Sequence, residues 1–298
     1  MNLKNLAPIA LFVYNRPYHT KKTIEYLSRN IYAQNSDLFI FSDYPKTHLE
    51  SDKVNEVRNY CSGIKNFKSI KVILRDKNLG LAKNIVDGIS YILKKNEKII
   101  VLEDDLLTDK YFLKYINEAL NKFEDNKDVI SIHGYIYPLK KKFDKPSFLK
   151  GADCWGWATW KSEWNIYNGN ANFLLEEIKL KKKKKEFNFN NSYNYLKILK
   201  KTLIDSNNSW AIKWYASAFL NNKLTLYPPY SLIHNIGNDG SGINSSKNKI
   251  YDNKLKNLPI EIDNIEIVEN KELRDEFENY FNSKNNIIKK ILNKIIFR

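Results

Sequence analysis

Cysteine, long apolar runs and signal-like segments are scarce or missing in this chain of 298 residues. Its two cysteines, Cys61 and Cys154, form no disulfide framework and have no metal-ligand spacing. No apolar run approaches the roughly 18–20 residues that a membrane-spanning helix needs. The N-terminus also lacks the long apolar core of a signal peptide. We therefore expect a cytoplasmic protein with reduced cysteines.

The common phosphate-binding loops are missing as well. The segment Asn-Leu-Gly-Leu-Ala-Lys-Asn at residues 78–84 is predicted to open a helix, where free backbone N–H groups favour an anion. It matches neither the G-x-G-x-x-G pattern nor a Walker A loop. Dinucleotide-binding oxidoreductases and P-loop phosphotransferases are therefore disfavoured.

Positive charge, in contrast, is abundant. The formal net charge of +15 indicates an anionic partner such as a nucleic acid, a membrane surface or a phosphate-bearing substrate. The five lysines at 181–185 are typical of a solvated loop or helix face. Because no signature of a nucleic-acid-binding module accompanies the charge, we expect no nucleic-acid partner.

Apolar, β-branched runs alternate with segments of helical periodicity through the first half of the chain. This alternation predicts an α/β fold with a mostly parallel central sheet flanked by helices. We divide the chain into a catalytic domain at 1–245, with a nucleotide-binding half at 1–139 and an acceptor half at 140–245, and a C-terminal extension at 246–298. The predicted strands are 9–14, 38–42, 70–74, 99–102 and 129–132, and the predicted helices between them are 20–31, 52–64, 81–93 and 111–123.

Three consecutive acids, Glu103, Asp104 and Asp105, follow the fourth predicted strand. Right-handed crossovers bring the carboxyl ends of parallel strands to one edge, where open α/β sheets bind ligands. Clustered carboxylates there suit Mg²⁺ or Mn²⁺ beside a bound phosphate. The alternative interpretation is a turn whose acids cap the next helix. Other polar residues close to strand ends complete a predicted nucleotide pocket: Asn15, Arg16, Asp43, Arg75 and Asn78.

The second half is marked by tryptophan. Four of the six tryptophans lie at positions 155, 157, 160 and 164. They indicate either a core beneath a loop or rings that stack on sugars. A helix is predicted to start near Ser209, and a short strand at 224–228. The loop at 235–242 holds three glycines and Asp239, a composition that suits a segment folding over a ligand.

The last stretch, 285–298, has isoleucine and leucine on one face and basic residues on the other. This pattern predicts a basic amphipathic helix. Either it contacts an anionic membrane surface, on the inner face of the cytoplasmic membrane, or it packs on the domain or on a second subunit.

Taken together, these motifs resemble bacterial sugar transferases of the GT-A fold, in particular those like N-acetylglucosaminyltransferase I, over roughly residues 7–245. The resemblance rests on the order and spacing of four features: Asn15-Arg16, Asp43, Glu103-Asp104-Asp105-Leu106 and Gly156-Trp157. It implies a metal-dependent transferase that moves a sugar from a nucleotide-sugar, with UDP favoured, to a hydroxyl of a surface glycan or a lipid-linked acceptor. Inversion at the anomeric carbon is implied by the resemblance alone.

The resemblance also implies roles for individual residues. Arg16 and Asp43 would contact the nucleotide, and Asp105 would bind Mn²⁺ or Mg²⁺ directly. Glu103 and Asp104 would hold the sugar or order the site, and Trp157 would help to wall the sugar pocket. The glycine loop around Asp239 would order over the diphosphate.

One departure concerns the general base. Where similar enzymes carry an aspartate after a tryptophan, this chain has Ala211 after Trp210, and alanine cannot accept a proton. Asp239 is the first substitute candidate, followed by Asp153 and then Asp205. Two other classes stay open: a nucleotidyltransferase that makes a nucleotide-sugar, and a non-catalytic glycan-binding or scaffold protein.

Overall fold

The computed structural model describes residues 5–204, 209–240 and 250–296, with backbone alone from residue 285 onward. Its strands are β1 Ile9–Val13, β2 Asp37–Ser42, β3 Ser69–Leu74, β4 Lys98–Glu103, β5 Leu106–Thr108, β6 Val129–His133, β7 Ser147–Lys150, β8 Trp157–Trp160, β9 Leu224–Tyr227 and β10 Ile233–Asn235. Its α-helices are α1 Pro17–Ser28, α2 Ser51–Ser62, α3 Leu81–Leu93, α4 Phe112–Lys122, α5 Lys161–Trp164, α6 Ala171–Leu180, α7 Lys184–Phe187, α8 Tyr195–Lys201, α9 Trp210–Leu220 and α10 Lys271–Ile296.

Eight strands form one sheet in the order β3-β2-β1-β4-β8-β6-β9-β7. Six of them run in one direction, and β8 and β7 run against their neighbours. The carboxyl ends of β1, β2, β3, β4, β6 and β9 therefore meet at one edge, where β8 begins. A second sheet pairs β5 with β10.

Helices cover both faces of the parallel half of the sheet. Along β1, the side chains of Ile9 and Leu11 pack in the core beneath α1, α2 and α4, whereas Ala10 and Phe12 face the core beneath α3 and α9. All five residues of β1 are buried, which explains why this strand is an unbroken apolar run rather than an alternating one.

The sequence patterns are confirmed for the first five predicted strands and the helices between them, with ends shifted by at most three residues. The helix predicted from Ser209 is α9, which begins at Trp210 and is buried on nearly every side. The predicted α/β class with a mostly parallel sheet is likewise confirmed. Four short strands were missed, β5, β7, β8 and β10, because three or four residues carry too little periodicity to be recognised.

The first part of α10 packs onto the second half of the protein. Leu273, Phe277 and Phe281 are buried together with apolar residues of α6, α8 and α9. This part of the predicted C-terminal extension therefore completes a core instead of standing apart from it. The predicted apolar stripe at 285–298 lies outside the residues whose side chains are described. Among the described residues, no helix is long and apolar enough to cross a membrane.

Gly88 allows α3 to approach β1 closely, and this contact generates a stability prediction. A Cβ at position 88 would lie 2.5 Å from Cε1 of Phe12 and 3.3 Å from Phe41, both rings being buried. Because a packed core resists added volume, we expect Gly88→Ala to lower the free energy of unfolding by about 1–3 kcal/mol. Gly63→Ala is the matched control, since a Cβ there meets only Tyr60 O at 3.7 Å. Urea unfolding of both variants measures the difference, and equal stabilities would contradict the packing argument.

Candidate active site

The acid triplet lies at the carboxyl edge of the sheet, in the turn between β4 and β5. Glu103 is the last residue of β4, and Asp104 and Asp105 form the turn. Asp104 is buried, whereas Glu103 and Asp105 are half-buried. Thr23 Oγ1 of α1 donates to Asp104 O at 2.8 Å and so fixes the turn against that helix.

Arg16 compensates the charge of this turn. It lies three residues after the end of β1, and Pro17 starts α1 immediately after it, so the guanidinium is held at the same edge of the sheet. Its Nη2 donates to Asp104 Oδ1 and, at 2.9 Å, to Asp105 Oδ2. Burial alone lowers the pKa of Arg16, but the charges of Asp104 and Asp105 outweigh burial and raise it. The structure thus joins three residues that the sequence placed in one site.

One guanidinium does not balance three carboxyl groups. Burial raises the pKa of Glu103 to about 8, and the charges of Asp105 and Asp104 act in the same direction while Arg16 opposes them. Burial also raises the pKa of Asp104, against the charge of Arg16. The turn is therefore short of positive charge and would gain from a further cation.

The residues of this turn suit a divalent cation bound partly by substrate. Among the described residues, no group of three or more His, Cys, Asp and Glu side chains is arranged to hold a metal ion. Mg²⁺ commonly binds through one or two carboxylates plus phosphate oxygens and water. Oxygen donors, excess negative charge and the raised pKa of Glu103 fit that mode, and the predicted ligand Asp105 is half-buried in this turn.

The loop after β10 lies against Asp105. Pairing of Asn235 with Leu106 brings this loop to the acid turn, and Ile236 N donates to Asp105 O at 2.9 Å. The backbone of Gly237 approaches the Asp105 carboxylate so closely that a Cβ there would collide with it. Asp239 Oδ2 lies 3.1 Å from His19 Nε2 of α1. The predicted glycine loop is therefore next to the predicted metal ligand.

Asp43 organises the segment before α3. Its Oδ1 accepts from Leu79 N at 2.9 Å, and its Oδ2 accepts from Gly80 N at 2.9 Å and from Asn78 Nδ2 at 3.4 Å. Asn78 Nδ2 also donates to Tyr44 O. The buried carboxylate thus satisfies the N–H groups that the sequence suggested for an anion. Contact of Asp43 with a nucleotide stays a prediction.

Asn15 and Arg75 bind to protein groups near the same edge. Asn15 Nδ2 donates to Glu50 Oε1 at 2.9 Å. Arg75 Nε donates to Asn84 Oδ1 at 2.9 Å, and its guanidinium carbon lies 5.3 Å from the centroid of the Phe41 ring. Both side chains are therefore held by protein groups near the carboxyl edge of the sheet, and their nucleotide contacts stay predictions.

Trp157 differs from its predicted role as a wall of the sugar pocket. Its side chain is fully buried at the start of β8. Its ring packs against Trp164, Trp210 and Trp214, with centroids 5.5–6.1 Å apart. A ring enclosed in this way forms core and presents no face to a ligand, which corrects the prediction. Trp155, two residues earlier, is the tryptophan with partial exposure.

Asp153 lies on the segment that leads to Trp155 and β8. It is half-buried, and its Oδ1 accepts from Cys154 N at 2.9 Å. Burial raises the pKa of the Cys154 thiol, and the charges of Asp153, Glu103 and Asp105 act in the same direction. The Cys154 thiol therefore lies near both Asp153 and the acid turn. Asp205, the remaining candidate base, lies outside the described residues.

Two residues of this site escaped the sequence interpretation. His19 and Thr23 lie three and seven positions after Arg16, so they share one face of α1 with it. Thr23 holds the acid turn and His19 contacts the glycine loop. Helical spacing from Arg16 is the signal that could have identified both.

The raised pKa of Glu103 generates a pH prediction for the metal-free protein. A group whose folded pKa lies above its unfolded value adds stability below the unfolded pKa, near 4.5, and loses this contribution as pH rises to about 8. In a chelating buffer, we expect the free energy of unfolding to contain a decreasing contribution between these pH values. Urea unfolding of Glu103→Gln should lack it. A variant curve parallel to the wild-type curve across this range would contradict the assignment.

No family model matches the chain, and no curated protein matches it. Among solved structures, the mannosyltransferase PcManGT from Pyrobaculum calidifontis in complex with GDP-Man and Mn²⁺ aligns at 11% identity over 45% of this chain and 37% of that chain, with a TM-score of 0.31.

TarS 1–349 from S. aureus aligns at 11% identity over 52% of this chain and 47% of that chain, with a TM-score of 0.36. Its complex with UDP-GlcNAc aligns at 13% identity over 45% and 39%, with a TM-score of 0.31. This chain thus spans less than half the length of each of these proteins. Likeness at this level assigns no family to the chain and no role to its residues.

Proposed function

We propose that this protein is a metal-dependent glycosyltransferase of the GT-A type. It transfers a sugar from a nucleotide-sugar, with UDP as the favoured nucleotide, to a hydroxyl of a surface glycan or a lipid-linked acceptor, with inversion. One observation carries the proposal. Glu103, Asp104 and Asp105 are clustered around Arg16 at the carboxyl edge of the sheet, beneath the glycine loop. Ligands of open α/β sheets bind at this edge.

The acid turn, Arg16 and the loop after β10 supply the chemistry that such a donor requires. A bound divalent cation would neutralise charge that develops on the leaving diphosphate. Arg16 is fully charged, and it adds a second positive group beside the turn of Asp104 and Asp105. The loop at 236–240 would cover the diphosphate, since Gly237 already lies against Asp105 and His19 holds Asp239.

Of the two described candidates for the general base, Asp153 fits better than Asp239. Asp239 is paired with His19, and its side chain is 47% exposed. Asp153 is half-buried beside Cys154, next to the acid turn. A general base has to lie within hydrogen-bond reach of the acceptor hydroxyl beside the donor site. We therefore assign proton removal to Asp153 and the fastening of the loop to Asp239.

The donor site generates a binding prediction. We expect UDP to raise the melting temperature, and to raise it further with Mn²⁺ or Mg²⁺. A ligand at 100 times its Kd adds about 2.7 kcal/mol to the free energy of unfolding. Asp105→Asn should remove the metal-dependent increment, because it takes away one charged oxygen ligand at the rim. Differential scanning fluorimetry with UDP, GDP, CDP and ADP, each with and without metal, also identifies the preferred nucleobase of the donor.

Asp87→Asn is the matched control, because Asp87 lies on the exposed side of α3 and pairs with Lys83 at 3.1 Å. It should keep the full increment. An Asp105→Asn protein with an unchanged metal-dependent increment would refute the metal assignment. Release of pyrophosphate from a nucleoside triphosphate and a sugar 1-phosphate would instead indicate a nucleotidyltransferase. Absence of both transfer and nucleotide-sugar hydrolysis would indicate a non-catalytic protein.

The two aspartates generate opposite kinetic predictions. Asp153→Asn should lower kcat by about 10²–10⁴ and leave the affinity for UDP unchanged, because a general base acts on the acceptor proton in the transition state. Asp239→Asn should mainly weaken UDP binding, because it releases the loop from His19. Steady-state kinetics together with UDP titration separate the two. The reverse pattern would return the role of base to Asp239.

A further inference from the structure

Aromatic rings surround the segment that carries Asp153. Five of them, each only partly buried, form what we call the aromatic rim: Tyr137, Trp155, Tyr193, Tyr195 and Tyr251. The centroids of Trp155 and Tyr251 lie 5.5 Å apart, and those of Tyr193 and Tyr195 lie 4.5 Å apart. The ring centroid of Phe281 of α10 lies 5.1 Å from that of Tyr137 and 4.8 Å from that of Tyr193, so Phe281 connects these two members of the rim.

Asp153 lies two residues before Trp155, close enough to the aromatic rim for its charge to act on two of the tyrosines. Burial raises the pKa of Tyr193 to about 12, and the charges of Tyr251 and Asp153 act in the same direction. Burial and the charge of Asp153 likewise raise the pKa of Tyr251. Cys154 N donates to Asp153 Oδ1 at 2.9 Å, and the Cys154 side chain also hydrogen-bonds to Asp153. The carboxylate is only half-buried, and its two oxygens have about four acceptor sites, so it can also accept from a ligand hydroxyl.

The position of Trp155 is fixed before any ligand arrives. Trp155 N donates to His133 Nε2 at 3.0 Å. His133 is fully buried, and burial lowers its pKa against the charge of Asp153, so Nε2 keeps the lone pair that accepts this bond. The indole ring also packs against Tyr135 at 4.8 Å between centroids. A ring held on two sides loses little conformational freedom when a ligand stacks on it.

We propose that the aromatic rim and Asp153 form the acceptor subsite, which binds a pyranose ring and presents one of its hydroxyls to the donor site. This inference rests on the proposed function. The apolar C–H face of a pyranose packs on aromatic rings, while its hydroxyls need polar partners such as a carboxylate or a phenol. The start of β8 pairs with the end of β4, so the segment with Asp153 lies next to the acid turn and a sugar bound here lies beside the donor. Free and lipid-linked glycans share this pyranose chemistry.

The experiment uses the full chain and a panel of methyl pyranosides with gluco, galacto and N-acetylglucosamine configurations. Saturation-transfer NMR is recorded alone and with saturating UDP and Mn²⁺. We expect at least one pyranoside to bind, and to remain bound when the nucleotide is present. Tyr193→Ala and Asp153→Asn should each weaken this binding about tenfold or more, which corresponds to about 1.4 kcal/mol. Tyr91→Ala, an exposed tyrosine on α3 that contacts Lys71, is the matched control and should bind as the wild type does.

Each outcome decides the matter. Absence of pyranoside binding, its displacement by UDP, or unchanged binding in folded Tyr193→Ala and Asp153→Asn would overturn the subsite. Should Tyr193→Ala fail to fold, Asp153→Asn gives the answer, since an amide has nearly the shape of the carboxylate. Adding the same pyranoside headgroup on a lipid, with and without vesicles, distinguishes a lipid-linked source from a free glycan. UDP binding in the same samples tests the proposed function separately, so that loss of pyranoside binding with UDP retained refutes the subsite alone.

Discussion

Burial of consecutive acidic residues between β4 and β5 is the constraint on which this edge of the sheet depends. Removing a carboxylate from water costs several kcal/mol unless opposite charge and hydrogen bonds replace the solvent. Arg16 supplies that charge to Asp104 and Asp105 from the end of β1, the strand that pairs with β4. The charge of Arg16 compensates Glu103 only in part, so the pKa of Glu103 is raised and the turn has a deficit of positive charge. The same deficit suits the edge to a bound cation.

Short antiparallel strands assemble the rest of the site around this turn. Insertion of β8 between β4 and β6 places its start beside the end of β4, with Val101 opposite Trp157. The segment before β8, with Asp153 and Trp155, therefore lies next to the acid turn. Pairing of β10 with β5 carries the glycine loop to the same place. The pairing of β8 with β4 and that of β10 with β5 thus bring Asp153 and Asp239, the two described candidates for the general base, to one edge of the sheet.

Trp155 and Trp157 are two positions apart in the sequence but differ in their surroundings and in their exposure. Trp157 is enclosed by three other indole rings and helps to join the sheet to α9. Trp155 is partly exposed and is held by His133 within the aromatic rim. Local sequence cannot separate these tasks, because both residues follow the same polar segment and both have a neighbouring glycine at position 156. The burial of Trp157 depends on Trp210 and Trp214, and the surroundings of Trp155 include Tyr251, all of them far along the chain.

Local sequence patterns were sufficient to predict the parallel half of the protein and its acid edge. Apolar runs and helical periods located β1 to β4, β6 and α1 to α4, and strand direction placed Arg16 and the triplet together. Those features follow from local periodicity and from the handedness of βαβ units. Four features became visible in the folded chain alone: the insertion of β8, the contact of Gly237 with Asp105, the pairing of Asp239 with His19 and the rings around Asp153. These depend on contacts between residues far apart in the chain, which no local pattern encodes.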